Sequence, residues 1–167
     1  MQATDLVEMA KIEMVKARYV RAGDVRDWEL LASTLAEDVD AAYGNGLAFT
    51  SAEDLVNTMR RTTDDSRITV HCLHQPEIEV HGDTATGRWL LTYRAVRKDD
   101  QTLVEGAAHY ADEYRRDAEG QWRIARIRMN RLYEIVSPWS ATPGLTLTAD
   151  HLAPAAHGVE DLSHEQR

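Results

Sequence analysis

The sequence predicts an α+β domain in which three N-terminal helices cover one face of a curved antiparallel sheet. Three observations carry this prediction. Up to Thr62 the apolar residues recur mainly at three- and four-residue spacing, the period of helices lying on a core. Beyond Asp64, four long stretches are rich in β-branched and aromatic residues, and the segments between them are short enough to join antiparallel neighbours. The chain has 167 residues, which suits one ordinary domain and is too short for two catalytic domains. Helices first and strands afterwards place the helices together on one sheet face.

From about Asp5 to Ala22, the residues Ile12, Val15 and Tyr19, flanked by Leu6, Ala10, Met14 and Ala17, define the apolar side of a first helix, which Gly23-Asp24 is expected to break. Asp27 then precedes Trp28, Leu30, Leu31 and Leu35. A carboxylate in that place accepts from the free N–H groups at a helix start, so a second, shorter helix follows. Val39 to Tyr43 and Leu47 to Thr50 read as short strands around the turn Gly44-Asn45-Gly46. Ser51-Ala52-Glu53-Asp54 resembles a capping box with Asp in place of Glu or Gln, and Leu55, Val56 and Met59 supply the face of a third helix ending near Thr62. The four strands run from Ile68 to Val80, Thr84 to Val96, Leu103 to Arg115 and Trp122 to Tyr133, joined by short polar turns into a meander. In the second of them Ala85, Gly87, Trp89, Leu91, Tyr93 and Ala95 alternate with Thr86, Arg88, Thr92 and Arg94, so the odd-numbered face looks inward.

On this reading residues 1–136 form the domain and residues 137–167 a C-terminal tail. The tail loses periodicity and carries Pro138, Pro143 and Pro154, yet Trp139, Leu145, Leu147 and Leu152 are more apolar than a solvated tail requires. Such a segment suits packing on a neighbouring subunit or across a pocket mouth. Composition narrows the function. Nineteen Lys and Arg against 28 Asp and Glu leave a formal charge of −9, the wrong sign for a phosphate backbone, so nucleic acid is not an expected partner. No apolar run approaches the roughly 20 residues of a membrane span. The start Met1-Gln2-Ala3-Thr4-Asp5 lacks a basic end followed by an apolar stretch, so no membrane partner and a cytoplasmic location are expected. The lone Cys72 can make no internal disulfide and is a poor zinc anchor.

The chain has no Gly-rich strand-to-helix loop, no His-Glu-x-x-His and no Cys-x-x-Cys, so neither a metal nor a cofactor is expected. His71 and His74, three apart on a strand, point to opposite faces, and His151, His157 and His164 lie in the tail without an anchoring acid. His71 in the first long strand and Asp24 just beyond the first helix could meet in one hollow. An acid that accepts from one imidazole nitrogen fixes the tautomer and leaves the other nitrogen free to take a substrate proton. Pattern alone leaves a second reading beside it, with His71 a core histidine satisfied by a backbone carbonyl and Asp24 the cap of the following helix. Tyr43, Trp89, Tyr93 and Tyr110 likewise either line a pocket or fill the core. His109 is a minor pocket candidate, because Tyr110 and Asp112 occupy the other face of its strand.

Tyr19 with Asp24 at the end of the first helix, followed by His71 in Val70-His71-Cys72-Leu73-His74-Gln75-Pro76-Glu77-Ile78-Glu79-Val80, resembles the SnoaL-like group of the nuclear transport factor 2-like superfamily. Gly82-Asp83-Thr84-Ala85-Thr86-Gly87-Arg88-Trp89, the strand Ala108-His109-Tyr110-Ala111-Asp112-Glu113-Tyr114 and the close Gly120-Gln121-Trp122-Arg123-Ile124 are similar to that group's sheet. The resemblance runs from roughly Asp5 to Tyr133 and implies a curved sheet and three helices forming a cone around an apolar pocket. Scytalone dehydratase, bile-acid 7α-dehydratase and hexachlorocyclohexane dehydrochlorinase, which share that fold, remove water or HCl with a His-Asp pair. The resemblance therefore implies His71 as the base, Asp24 as its partner and Tyr19 as a donor to a substrate carbonyl. An arginine of the last strand, Arg131 or Arg128, would assist, and Tyr43, Trp89, Tyr93 and His109 are the candidate substrate contacts. The chain departs from the bile-acid dehydratase pattern in carrying Tyr93, where those relatives often have an acid four residues after the strand tryptophan.

The expected function is a cofactor-independent, dehydratase-like lyase that eliminates water or another leaving group from a small hydrophobic cyclic substrate. A ketosteroid-isomerase-like proton shuttle, whose product keeps the substrate's mass, is the enzymatic alternative. A non-catalytic ligand-binding module on the same fold is the other, and it predicts binding that survives loss of His71. A homo-oligomer, trimer before dimer, is expected because the outer sheet face would otherwise be uncovered and the resembling lyases are commonly trimeric.

Overall fold

In the computed structural model, which describes residues 3–44 and 46–153, helix α1 spans Ala3–Val25. Its buried stripe is Ile12, Lys16, Tyr19 and Ala22, at helical intervals. Leu6 and Met14 are about half exposed. Lys16 takes the inward place instead, because Asp112 of the sheet meets its ammonium at 2.7 Å. Gly23-Asp24 does not break α1. One glycine in a helix costs only about 1 kcal/mol, and the Asp24 carboxylate is tied to the sheet beneath the last turn. The chain reverses at Arg26, whose φ of 66° lies in the left-handed region, and its guanidinium donates to the Gly23 carbonyl at 2.7 Å.

Helix α2 (Trp28–Ser33) starts as expected, with the Asp27 carboxylate accepting from the Leu30 N–H at 2.9 Å. Leu35 opens strand β1 (Leu35–Ala42) instead of extending the helix. A short β2 (Ala48–Phe49) follows, and Ser51 caps α3 (Ala52–Thr62) by accepting from the Asp54 N–H at 3.2 Å. Asn45 of the intervening turn lies outside the described residues.

The long strands are β3 (Arg67–His81), β4 (Thr84–Arg97), β5 (Thr102–Arg116) and β6 (Trp122–Pro138). They form the antiparallel meander read from the turns, within a six-stranded sheet of order β2-β1-β6-β5-β4-β3. The sheet as a whole is mixed, since β1 lies parallel to β6. A parallel pair needs a long crossover, and everything from α3 to β5 supplies it. Ala85, Gly87, Trp89 and Leu91 of β4 are buried while Thr86, Arg88 and Arg94 are exposed, in the expected alternation. Register shifts in β3 at His74/Glu77 and in β5 at Ala107/Ala108 and Glu113/Tyr114 help to curve the sheet around the helices.

Because β6 runs to Pro138, a domain boundary at 136 falls inside the last strand. One 3-10 turn, Trp139–Ala141, comes next, and an ion pair of 2.5 Å between Lys98 and Asp150 ties the following segment to the β4–β5 turn. His151 is exposed, and His157 and His164 lie outside the described residues. Among the described residues no helix is long and apolar enough to cross a membrane.

Candidate active site

The concave side of the sheet and the helices enclose a cavity of about 230 Å³. Val20 of α1, Leu31 of α2, Met59 of α3, Leu91 of β4 and Met129 of β6 give it an apolar wall. Into this wall are set four phenols, Tyr19, Tyr43, Tyr93 and Tyr110, together with His71 and Arg131. Each long strand contributes at its inward parity, which is why residues far apart in the chain converge here.

Asp24 in the last turn of α1 stands over β3. Its Oδ1 lies 2.6 Å from His71 Nδ1 and accepts from Thr69 Oγ1 at 2.8 Å, while its Oδ2 accepts from the His71 backbone N–H at 2.9 Å. Three donors thus hold one carboxylate in a single orientation. In the neutral imidazole Nδ1–H donates to Asp24, and the lone pair remains on Nε2. The His71 side chain is 31% exposed and that of Asp24 16%, so a ligand can reach the ring.

Tyr93 stacks on His71 with ring centroids 6.1 Å apart, and its hydroxyl donates to Glu134 Oε2 at 2.8 Å. Burial, reinforced by that carboxylate, pushes the Tyr93 phenol up to about 12. Gly106 makes room for the ring, since a Cβ there would collide with the Tyr93 phenol and lie 2.7 Å from the Tyr133 carbonyl oxygen. The hydroxyls of Tyr19 and Tyr43 are hydrogen-bonded to each other, and burial raises both phenols far above the usual tyrosine range. Both are therefore neutral donors at any ordinary pH.

The structure brings Tyr19, Tyr43, Tyr93, His71 and Arg131 to one cavity, with Asp24 behind His71. Three other candidate positions fall elsewhere. Trp89 has the inward parity but lies in the core, 4% exposed, with its indole N–H donating to the Tyr114 hydroxyl at 3.1 Å. Arg128 is on the opposite face of β6 from Ile127, Met129 and Arg131, where it pairs with the Asp40 carboxylate and donates to the Asp40 carbonyl at 2.9 Å. This decides between the two arginines in favour of Arg131 as the one at the cavity. His109 is exposed on the outer face of β5, because its neighbours Ala108 and Tyr110 are the buried ones.

Sequence reasoning missed Lys16, Asp112 and Glu134. Lys16 carries a legible signal, a charge four residues after Ile12 and three before Tyr19 in an otherwise apolar stripe. Asp112 shares the strand parity of Tyr110 and Tyr114. Glu134 carries none, because the inward face of β6 near it depends on a register shift in the β5–β6 pairing.

A curved sheet with three helices closing an apolar cavity on its concave side is the α+β cone of the nuclear transport factor 2-like proteins. The chain belongs to the SnoaL-like domain family, whose model matches residues 4–128. Its fold is similar to that of a scytalone dehydratase-like protein from Novosphingobium aromaticivorans (23% identity, 81% of this chain and 91% of that one, TM-score 0.74). It is also similar to a type 2 hexachlorocyclohexane dehydrochlorinase (18% identity, 91% and 97% covered, TM-score 0.74). A type 3 hexachlorocyclohexane dehydrochlorinase from Novosphingobium barchaimii gives a similar match (19% identity, 87% and 97% covered, TM-score 0.72). At these identities the likeness concerns the fold.

Proposed function

We propose that this chain is a cofactor-independent lyase that eliminates water, or another leaving group, from a small hydrophobic cyclic substrate bearing a carbonyl. The observation that carries this reading is the Asp24–His71 contact of 2.6 Å on the wall of an apolar cavity. His71 Nε2 takes the proton next to the carbonyl. The C–H electron pair moves onto the carbonyl oxygen as an enolate and then returns to form the double bond as the bond to the leaving group on the adjacent carbon breaks; a departing hydroxide takes the proton held by His71 and leaves as water, which restores the neutral imidazole. Asp24 holds the ring in its tautomer and stabilises the imidazolium. Tyr19 donates to the carbonyl oxygen as negative charge grows there, and Tyr43, Tyr93 and Arg131 contact the substrate. The names of the similar folds, a dehydratase and dehydrochlorinases, support this reaction class.

At about 230 Å³ the cavity lies below the roughly 300–1,000 Å³ usual for drug-sized ligands, which favours a substrate of one or two fused rings. The assembly proposed with this activity is a homo-oligomer, trimer before dimer, in which second copies cover the outer sheet face. Val70, Tyr133 and Ile135 are about half exposed there. Sedimentation decides the point, and a monomer at micromolar concentration overturns it.

The reaction is tested with cyclic β-hydroxyketones of one or two rings, chosen after mass spectrometry of molecules carried through purification. The expected product is the conjugated enone, lighter by one water and visible by ultraviolet absorbance, and His71→Ala is expected to form it at least about 100-fold more slowly. A product of unchanged mass would move the reading to an isomerase. Ligand binding without turnover would move it to a binding module, and turnover left intact in His71→Ala overturns the mechanism.

A further inference from the structure

A fully buried ion pair behind the cavity wall has no part in the elimination drawn above. Lys16 Nζ lies 2.7 Å from Asp112 Oδ2, and neither side chain has any exposed surface. Removing two charges from water is costly, and a packed apolar pair often serves stability as well, so stability alone does not account for it. The pair is also oriented. Its ammonium sits over two ring faces, 3.6 Å from the Tyr110 centroid and 4.7 Å from that of Tyr19. Its carboxylate is turned toward Tyr114, whose hydroxyl donates to Asp112 Oδ2 at 3.0 Å and accepts from Trp89 Nε1 at 3.1 Å. Tyr19 and Tyr110 line the cavity, whereas Lys16, Asp112 and Tyr114 do not. Burial pushes the Lys16 ammonium down and the Asp112 carboxyl up, and against it the ion contact, the Tyr114 donor on Asp112 Oδ2 and the two ring faces beside the ammonium favour the ionised pair.

We infer that Lys16 and Asp112 form a fixed dipole whose positive end acts through Tyr19 and Tyr110 on the cavity, giving it a preference for oxyanionic ligands, enolates and phenolates, over their neutral acids. In a dry interior the field of such a pair is weakly screened. A cation over a phenol ring also draws electron density from it, which makes the hydroxyl a stronger donor. Lys16 and Asp112 are positioning residues, since they act through the tyrosines. The inference deepens the proposed lyase by naming the charge type the cavity favours, and it rests on that reading only in taking the enolate as the species formed when His71 accepts a proton. Other groups act on the same space: His71 from β3, Tyr43 after β1, Tyr93 from β4 and Arg131 from β6 line it, with Asp24 of α1 behind His71 and Glu134 of β6 behind Tyr93. Arg131 and a protonated His71 favour anions as well, and the carboxylates oppose them, so the share of Lys16 is read as a difference between variants.

The probe is para-nitrophenol, whose phenolate absorbs visible light, titrated into the full chain over a range of pH. In the native chain the bound probe is expected to lose its proton at a lower pH than the free probe. Lys16→Met/Asp112→Asn, which removes both charges with little change of volume, is expected to reduce the preference for phenolate over phenol by about tenfold while neutral phenol binds as before. Lys16→Arg keeps the charge and is expected to retain the preference. Arg131→Gln is expected to lower it by the same factor with and without the pair. Equal preference in the native chain and the double variant overturns the inference. So does a native chain that binds no phenolate or leaves the probe's titration unshifted, an outcome that needs no variant to fold. A chain with intact phenolate preference and no elimination would sink the lyase reading alone, and elimination without that preference would sink this inference alone.

Discussion

Helix α1 meets the sheet through two acid–base contacts of almost equal length that differ in access. Near its C-terminal end Asp24 holds His71 across 2.6 Å with both side chains partly open, and about two turns earlier Lys16 holds Asp112 across 2.7 Å with both fully enclosed. The open pair is within reach of a ligand or of water, and in the proposed reaction it exchanges a proton and changes its charge. The closed pair exchanges with nothing and presents the same field throughout. In the proposed function similar heavy-atom geometry therefore serves a reactive group in one place and a static one in the other, and burial is what separates them.

That contrast predicts where each substitution is felt, and the largest effect belongs to the open pair. His71→Ala is expected to lower kcat/KM for elimination by about 10²- to 10⁴-fold with little change in Tm. Asp24→Asn should lose most of the rate, and the double variant should be little worse than His71→Ala, because groups acting as a unit are not additive. Tyr19→Phe should lose about 10- to 1,000-fold, as one donor to developing charge. A drop in Tm comparable to the loss of rate in His71→Ala would place His71 with the structural contacts.

At the closed pair the order of effects reverses. Lys16→Met alone leaves Asp112 buried without its partner and is expected to destabilise by about 3–5 kcal/mol in urea titrations, whereas Lys16→Met/Asp112→Asn recovers most of that loss. Equal stability of the single and double variants would break the comparison. Gly106→Ala is smaller, about 1–3 kcal/mol from overpacking, and it should disturb the site by displacing Tyr93 from His71. Fluorescence or NMR of Tyr93 would register the move.

A third contact of α1 sharpens the series. Glu8 accepts from the Trp122 indole at 2.8 Å, from Lys11 at 2.9 Å and from Arg116 at 2.5 Å. These donors, Trp122 first, hold its carboxyl at about 2 against an ordinary 4.5. A carboxyl depressed on folding stabilises the fold above its unfolded value, and that contribution is lost as pH falls from about 4.5 toward 2. Stability of Glu8→Gln followed by calorimetry should be less sensitive to acid across that window. An unchanged acid slope would show that Glu8 carries none of it.

The local part of the fold was legible because its causes are local. Asp27 and Ser51 cap the helices they precede through hydrogen bonds three residues long in sequence, and period-two alternation in β4 put Trp89, Leu91 and Tyr93 on the inner face. The meeting of His71 and Asp24 was legible where a short motif met the right parity. Parity reads differently at depth: Trp89 and Tyr93 share a face, yet Trp89 is enclosed against Tyr114 while Tyr93 reaches the cavity.

By itself the sequence determined the order of helices and strands, the capped helix starts and the inward face of β4, since these follow from neighbours a few residues apart. Only the tertiary structure decided that β1 runs parallel to β6, that α1 continues through Gly23-Asp24, that Lys16 displaces Met14 from the buried stripe, and that Arg131 rather than Arg128 reaches the cavity. Each of these depends on a partner far along the chain: β6 for β1, His71 for Asp24, Asp112 for Lys16, and Asp40 for Arg128. A contact of that kind outweighs a local preference of about 1 kcal/mol, and no window of neighbouring residues contains both of its ends.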